Sequence, residues 1–363
     1  QFSSSAVGPT DLRFTHLLTT QELFDHAFSE TWLVNEVLVA GQPGIIGGRS
    51  KVLKTSIACD LVVSLASGTP FLDKFETQKC TVGFWSGESG GKTIRDKARC
   101  MADARGLTAA DCPAFWSLDL PRLANQEHLD ALTSLIKDRG VSVAIIDPLY
   151  LSLMPSDARG KSSDLFFMGS LLAPLTNLIQ TTGCTIILLH HFRKSSIVAE
   201  DDPCSLEELA QSGCAEWTRQ WLLLQRRSPF SGDGTHELYC RIGGSAGHAS
   251  FWGLTIDEGS HDSRRWQVDF ESITDIKSTS KTARDNARAA DVEKKDFENI
   301  EKILTVLAQF PNGTSLTNLR SLAHLGEPPT LRALHFLRLD GRIEDCVIYI
   351  GNRHCQAFRL KTP

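Results

Sequence analysis

Gly44-Ile45-Ile46-Gly47-Gly48-Arg49-Ser50-Lys51-Val52-Leu53-Lys54-Thr55-Ser56 runs from a short apolar stretch through a glycine-bearing turn into Lys-Thr, and an apolar segment follows at once. That order predicts a strand, a phosphate-binding turn and a helix. Backbone N–H groups of the turn and of the first helical turn face an anion, a lysine amine adds a point charge, and a hydroxyl holds Mg²⁺. Gly48, Lys54 and Thr55 occupy three of the four fixed positions of G-x-x-x-x-G-K-[ST], while Leu53 stands where the second glycine belongs. A side chain there alters how closely the backbone approaches a phosphate. The plainer alternative is a tight strand-to-helix turn with an exposed lysine. Against it, Ile57, Leu61 and Leu65 recur at four-residue spacing until Gly68 supplies a stop. The expected polyphosphate seat is therefore Gly48, Arg49, Ser50, Lys51, Val52, Leu53, Lys54, Thr55 and Ser56, with Lys51 either on a phosphate or turned to water.

Working outward, 363 residues with 41% hydrophobic and 22% charged side chains suit one large α/β domain and a small second one. The net charge of -5 gives no global basic field, so any nucleic-acid contact must come from local patches. Ten scattered cysteines form no C-x-x-C pair and no zinc spacing, which leads us to expect reduced thiols. No apolar run approaches bilayer-spanning length and no signal peptide is visible. The expectation is a cytoplasmic protein without a membrane partner.

Upstream of the turn, Thr19-Thr-Gln-Glu22 reads as a capping box before Leu23, Phe24 and Phe28, and Trp32 to Val39 as an apolar extended segment. Both are expected to pack on the domain that follows. Downstream, Thr81 to Trp85 reads as a strand ending in Ser86-Gly-Glu-Ser-Gly90. Ligands in open parallel sheets bind beyond the carboxyl ends of the strands, so Glu88 faces the same crevice as Lys54. It is either the base that activates a water or a surface acid capping the next helix. The apolar run Val141 to Ile146 delivers Asp147 to that edge as a Mg²⁺ partner, the plainer reading being a cap of the turn before Pro148. The polar loop from Pro155 to Ser163 leaves the same edge and carries Arg159 and Lys161, either nucleic-acid contacts or parts of a solvated connector. A further apolar strand, Cys184 to Leu189, ends in His190-His191; adjacent strand residues point to opposite faces, so at most one easily faces the crevice. His190 or His191 is expected as a γ-phosphate sensor rather than a metal ligand, the plainer reading being a packed, hydrogen-bonded histidine.

Gly48…Lys54-Thr55, Ser86-Gly-Glu-Ser-Gly90, Ile145-Ile-Asp147-Pro and Leu188-Leu-His-His-Phe-Arg-Lys194, in this order, resemble the RecA-fold ATPases of the RepA and DnaB replicative-helicase group. Most similar are the AAA-family proteins of bacteria and their mobile elements, whose phosphate loop has the form G-x-x-K-x-L-K-T, matched here by Gly48, Lys51, Leu53, Lys54 and Thr55. The resemblance covers about Trp32 to Gly259. It implies ATP and Mg²⁺ as cofactors, with Lys54 on the β- and γ-phosphates, Thr55 and Asp147 on the metal, Glu88 as catalytic base and a histidine at the end of the His190 strand as sensor. Ring ATPases of this kind reach a neighbour's γ-phosphate with a basic residue, for which Arg226 and Arg227 are in place; the plainer reading is an arginine pair ending an edge strand.

Between Glu271 and about Glu293 large apolar residues almost vanish, as in a linker or an exposed helix. Three leucine-rich stripes follow, around Phe297 to Leu307, Leu316 to Leu322 and Leu331 to Leu337, then a hairpin around Gly351-Asn-Arg-His354, the pattern of a winged helix. A DNA-reading third helix would present Arg332, His335 and Arg338, with Arg353 on a phosphate. From Asp296 onward eight Lys/Arg face seven Asp/Glu, so docking to protein stays open beside docking to DNA. The expected organisation is a helix and apolar segment over 1–40, a RecA-like α/β ATPase with a mostly parallel sheet over 41–270, a linker over 271–294 and a winged helix over 295–363. Function is expected to be ATP hydrolysis driving a nucleic-acid motor, a homo-oligomeric ring such as a hexamer acting on DNA. The rival is an ATP-switched DNA-binding regulator or assembly ATPase without unwinding, and a third reading is a nucleotide-binding protein that barely hydrolyses, should Glu88 be misplaced.

Overall fold

The computed structural model describes residues 17–153, 165–193, 204–211, 213–260, 262–350 and 353–361. A short helix, α1 (Thr20–Asp25), precedes β1 (Trp32–Val34) and β2 (Leu38–Val39), which pair antiparallel. The expected extended segment thus folds back on itself, burying Leu33, Val34, Val37, Leu38 and Val39. Every residue of α1 is exposed, so the capped helix forms without the packing expected of it. Next come β3 (Gly44–Gly48), α2 (Lys54–Ser67), β4 (Val82–Ser86), α3 (Gly91–Ala104), β5 (Phe115–Ser117), α4 (Gln126–Arg139), β6 (Val143–Asp147), α5 (Leu149–Leu153), α6 (Leu165–Thr182) and β7 (Thr185–His191). After a short helix α7 (Cys214–Trp217) the chain adds β8 (Gln220–Arg226), β9 (Thr235–Gly244), β10 (Ala249–Gly259) and β11 (Arg264–Ser272).

Among the described residues these strands form a nine-stranded sheet of order β11-β10-β9-β8-β3-β7-β6-β4-β5. From β8 to β5 all pairings are parallel, and β9, β10 and β11 extend one edge antiparallel. Strands buried on both faces carry unbroken apolar runs because each side of the sheet needs its own contacts. Accordingly Ile46, Ile145 and Leu189 pack with α2 and α3, and their neighbours Ile45, Ala144 and Leu188 pack with α4 and α6. Helix α2 is enclosed nearly all round: twelve of its fourteen residues are buried. Each large aliphatic side chain sealed there contributes about 1.5–3 kcal/mol. It stops where expected, at Gly68, whose left-handed backbone (φ 84°) lets its N–H close on the Ser64 carbonyl at 2.7 Å.

A second compact unit begins at Thr274. From Ile273 the polar stretch expected as a linker or an exposed helix is helical, within α8 (Ile273–Ala308), 36 residues long. The unit continues with β12 (Thr314–Ser315), α9 (Leu316–Leu322), α10 (Glu327–Leu339), β13 (Ile343–Ile350) and β14 (Arg353–Leu360), the strands forming an antiparallel sheet of order β12-β14-β13. Its core holds Ile303, Leu307, Leu319, Leu334, Leu337 and Phe358, whereas Phe297 and Leu331 of the expected stripes stay exposed.

Candidate functional site

Parallel pairing sets the site. Register places Gly48 beside His191 and Ser86 beside Asp147, so the ends of β3, β7, β4 and β6 open on one crevice. A Cβ on Gly48 would lie 2.6 Å from the Leu224 carbonyl oxygen, so only glycine lets β3 turn there. Past it, Lys51 (φ 60°) and Leu53 (φ 62°) both adopt left-handed backbone. That conformation costs a side-chain-bearing residue about 1–2 kcal/mol, offset at residue 53 by packing of the leucine against the apolar core. Leu53 is the N-cap of α2 and gives it no side-chain cap, leaving first-turn N–H groups for an anion.

Lys54 is buried with its amine folded over the loop: Nζ donates to the carbonyls of Gly48 (3.0 Å) and Arg49 (2.8 Å) and to His191 Nδ1 (3.2 Å). Burial pulls that amine down to about 8, while the charges of Asp147 and Glu88 hold it up. Thr55 Oγ1 donates to Asp147 Oδ2 at 2.8 Å. Burial pushes the Asp147 carboxyl up to about 6, aided by Glu88 and opposed by Thr55 and Lys54. Glu88 itself is exposed at the mouth beside Tyr150, whose hydroxyl pKa is raised by burial and by the Glu88 carboxylate. Ser86 Oγ is buried here without a protein partner. A hydroxyl and carboxylate pair beside a second carboxylate and an orphaned hydroxyl is an all-oxygen set of the kind Mg²⁺ takes. Among the described residues no group of three or more His, Cys, Asp or Glu could hold a metal ion.

The structure separates the two histidines. His191 joins Lys54 and lies 5.9 Å from the Tyr150 ring, and burial lowers its pKa, with Lys54 adding to that. His190 is turned to the other face, its Nε2 donating to the Ala210 carbonyl at 2.5 Å, and burial pulls it down to about 4. It is a packed neutral side chain and does not reach the loop. Arg226 and Arg227 part in the same way. Arg226 Nη2 donates to the Lys51 carbonyl of its own loop (2.7 Å) and contacts His236 Nδ1 (3.3 Å). Arg227 is held by Glu271 and, at 3.6 Å, by Glu237. Neither stands as the unengaged finger that the cross-subunit expectation needs.

Behind the loop lies a network that no local motif announces. Ser56 Oγ donates to Glu258 (2.8 Å), Lys97 Nζ reaches Ser56 (2.5 Å) and Glu258 (3.0 Å), and His236 Nε2 lies 3.4 Å from Glu258. Burial disfavours the Glu258 carboxylate, yet hydrogen bonds from His236, Lys97 and Ser56 and the Lys97 charge bring it down to about 2. The residues are up to 202 positions apart, so only the fold assembles them. Beside them a hollow of about 480 Å³ is lined by Lys51, Leu53, Arg226, Phe230, His236 and Glu258. Phe230 stacks on His236 at 4.6 Å and 8°, has the Arg226 guanidinium 5.4 Å from its ring centre, and is half-exposed.

The expected nucleic-acid residues fare differently. Arg159 and Lys161 lie outside the described residues. In the second unit Arg332 pairs with Asp296 (3.3 Å) and Arg338 with Asp345 (2.6 Å), while His335 and Arg353 are exposed. Among the described residues all ten cysteines are free and no helix is long and apolar enough to cross a membrane.

A family model described as "AAA domain" matches residues 9–196. Among solved structures, a KaiC-like protein from the hyperthermophilic archaeon Pyrococcus horikoshii OT3 matches with a TM-score of 0.44 and 14% identity, over 66% of this chain and 93% of that one. A search of curated proteins gives no match.

Proposed function

The chain belongs to the AAA domain family of P-loop ATPases, and from that premise we propose that it hydrolyses Mg-ATP in the crevice between Gly48 and His191. The observation that carries this reading is the convergence of Lys54, Thr55, Asp147 and Glu88 on one turn. The triphosphate lies against the uncapped start of α2, where Lys54 exchanges its carbonyl partners for β- and γ-oxygens. Thr55 and Asp147 would hold Mg²⁺, which neutralises charge on those phosphates. Glu88, beside Tyr150, orients and deprotonates the attacking water. His191, which touches Lys54, senses the γ-phosphate in this reading. The hollow beside Phe230 takes the base. Lys54→Ala abolishes Mg-ATP binding in calorimetric titration, and Glu88→Gln keeps binding but slows turnover at least a hundredfold. Equal turnover by wild type and Glu88→Gln would remove the base assignment.

The output we propose is a nucleic-acid-dependent motor working as a ring, with the second unit as a winged-helix module on DNA. Its support is the resemblance of the loop and strand-end motifs to replicative helicases. Hydrolysis stimulated by single-stranded DNA, with unwinding of a forked duplex, is the expected result. Specific duplex binding without unwinding marks the ATP-switched regulator instead.

A further inference from the structure

We propose that α1 is a docking arm whose apolar side seats in a groove beside α3 of a second copy of this chain. Around α1, Leu17, Leu18, Leu23, Phe24 and Phe28 are all exposed, Phe24 by 78%. Six residues make a marginal helix in water without tertiary contacts. The capping box, Thr19 N–H to Glu22 Oε2 at 2.7 Å and Glu22 N–H to Thr19 Oγ1 at 3.3 Å, fixes only its first turn. A helix capped this well, yet apolar and uncovered among the described residues, has the properties of one completed by a partner.

The same chain carries a receptor of matching chemistry. A groove of about 900 Å³ runs along α3, with Ile94, Ala98 and Ala102 at four-residue spacing on one wall and Leu107, Trp116 and Leu118 opposite. The alanines leave room for bulky side chains, and Trp116 and Leu118 are open to solvent. Charge selects the occupant. From Phe14 to Gly48 the sequence has no Lys or Arg, and α1 bears Glu22 and Asp25; α3 bears Lys92, Arg95, Lys97 and Arg99 against Asp96 and Asp103. Arg95 and Arg99 line the groove together with a single acid, Asp103. Their pairs within α3, to Asp96 at 2.8 Å and Asp103 at 3.9 Å, are largely exposed and worth little, so both arginines are available to an incoming acidic helix. Since α1 does not lie in its own groove, the occupant is the arm of a neighbour. Arm-into-groove contact is head-to-tail, the kind that closes rings, so it supplies the interface for the assembly proposed above and rests on that reading.

The test uses the full chain and sedimentation over a hundredfold range of concentration. Wild type self-associates; an arm variant, Leu23→Asp with Phe24→Asp, and a groove variant, Trp116→Ser with Leu118→Asp, each raise the apparent Kd at least tenfold. Mixing the two variants restores association but stops at dimers, because only one intact arm–groove pair remains. A wild type that stays monomeric, an arm variant that assembles like wild type, or a mixture that remains monomeric overturns the proposal. Calorimetric Mg-ATP binding is measured on all four samples: its presence in both variants shows them folded, and its absence from assembled wild type counts against the nucleotide reading alone.

Discussion

Arg226 distinguishes two ways of completing a triphosphate site. An arginine that serves a neighbouring subunit must leave its own, whereas this guanidinium bonds the Lys51 carbonyl at 2.7 Å and lies 5.4 Å from the Phe230 ring centre. Lys51 and Leu53 hold left-handed backbone without glycine, and the Arg226 bond pins the first of them. Hydrogen bonds from charged groups contribute about 1.5–3 kcal/mol. Arg226→Ala therefore raises the Kd for Mg-ATP roughly tenfold while turnover at saturation changes less; unchanged affinity with lost turnover would return Arg226 to a neighbour's site. His190 yields a prediction of another kind. Its folded-state value near 4 lies below the ordinary 6.5, so the unfolded chain binds the extra proton between those values. Stability is full above 6.5 and lost as pH falls through 4, by about 3 kcal/mol. Urea unfolding at pH 7 and pH 4.5 checks this, and His190→Gln should flatten the difference. At this scale the motif positions were legible, because Gly48, Lys54 and Thr55 are fixed by local spacing and Asp147 by the end of an apolar strand. Which histidine faces the loop was not, since strand alternation says that they diverge without saying which way. Tyr150 and Glu258 were invisible: one partner is 62 residues from Tyr150 and another 202 from Glu258, counted from Glu88 and Ser56.

Helix α2 joins the site to the core. Its first turn faces the crevice, and further along it buries Asp60, which accepts from Leu72 N–H (3.0 Å), from Trp266 Nε1 and from Arg105 Nη2 (2.7 Å). Burial raises the Asp60 pKa, with the Arg105 charge opposing, and the three bonds tie α2 to the end of α3 and to β11. No local pattern marks a charge at this position as buried, because the antiparallel strands that enclose α2 lie some two hundred residues later. The same extension supplies the β8–β9 hairpin, where Asp233 accepts from Ser231 Oγ (2.7 Å) and Thr235 N–H (2.8 Å) and so fixes the turn that presents Phe230. Stacking of a base on an aromatic ring is worth about 1–3 kcal/mol. Phe230→Ala should weaken Mg-ATP five- to a hundredfold and leave inorganic tripolyphosphate affinity unchanged; equal losses for both ligands would place the base elsewhere. The stretch from Glu271 to Glu293 shows the converse limit. Its lack of large apolar residues allowed a linker or an exposed helix, and the continuous helix reflects residues such as Ala, Lys and Arg that favour helix where no core demands a choice.

Over the whole molecule, the two compact units meet in sequence at Ile273 and Thr274, and each carries its own apolar core. Cooperative unfolding follows from shared burial, so separate cores melt as separate transitions. The proposed nucleotide site lies wholly in the first unit, built from β3, α2, β4, β6 and β7. A ligand that binds only the folded form stabilises it by RT ln(1 + [L]/Kd), about 2.7 kcal/mol at a hundredfold excess over Kd. That increment belongs to the unit that holds the site. Differential scanning calorimetry should therefore resolve two transitions. Saturating Mg-ATP should raise the larger by several degrees and leave the smaller in place, and Lys54→Ala should abolish the shift. A single transition that moves as one with nucleotide would mean that the second unit draws its stability from the first. The tie would then be mechanical, and ATP binding would reach Arg332, His335, Arg338 and Arg353 directly rather than through assembly.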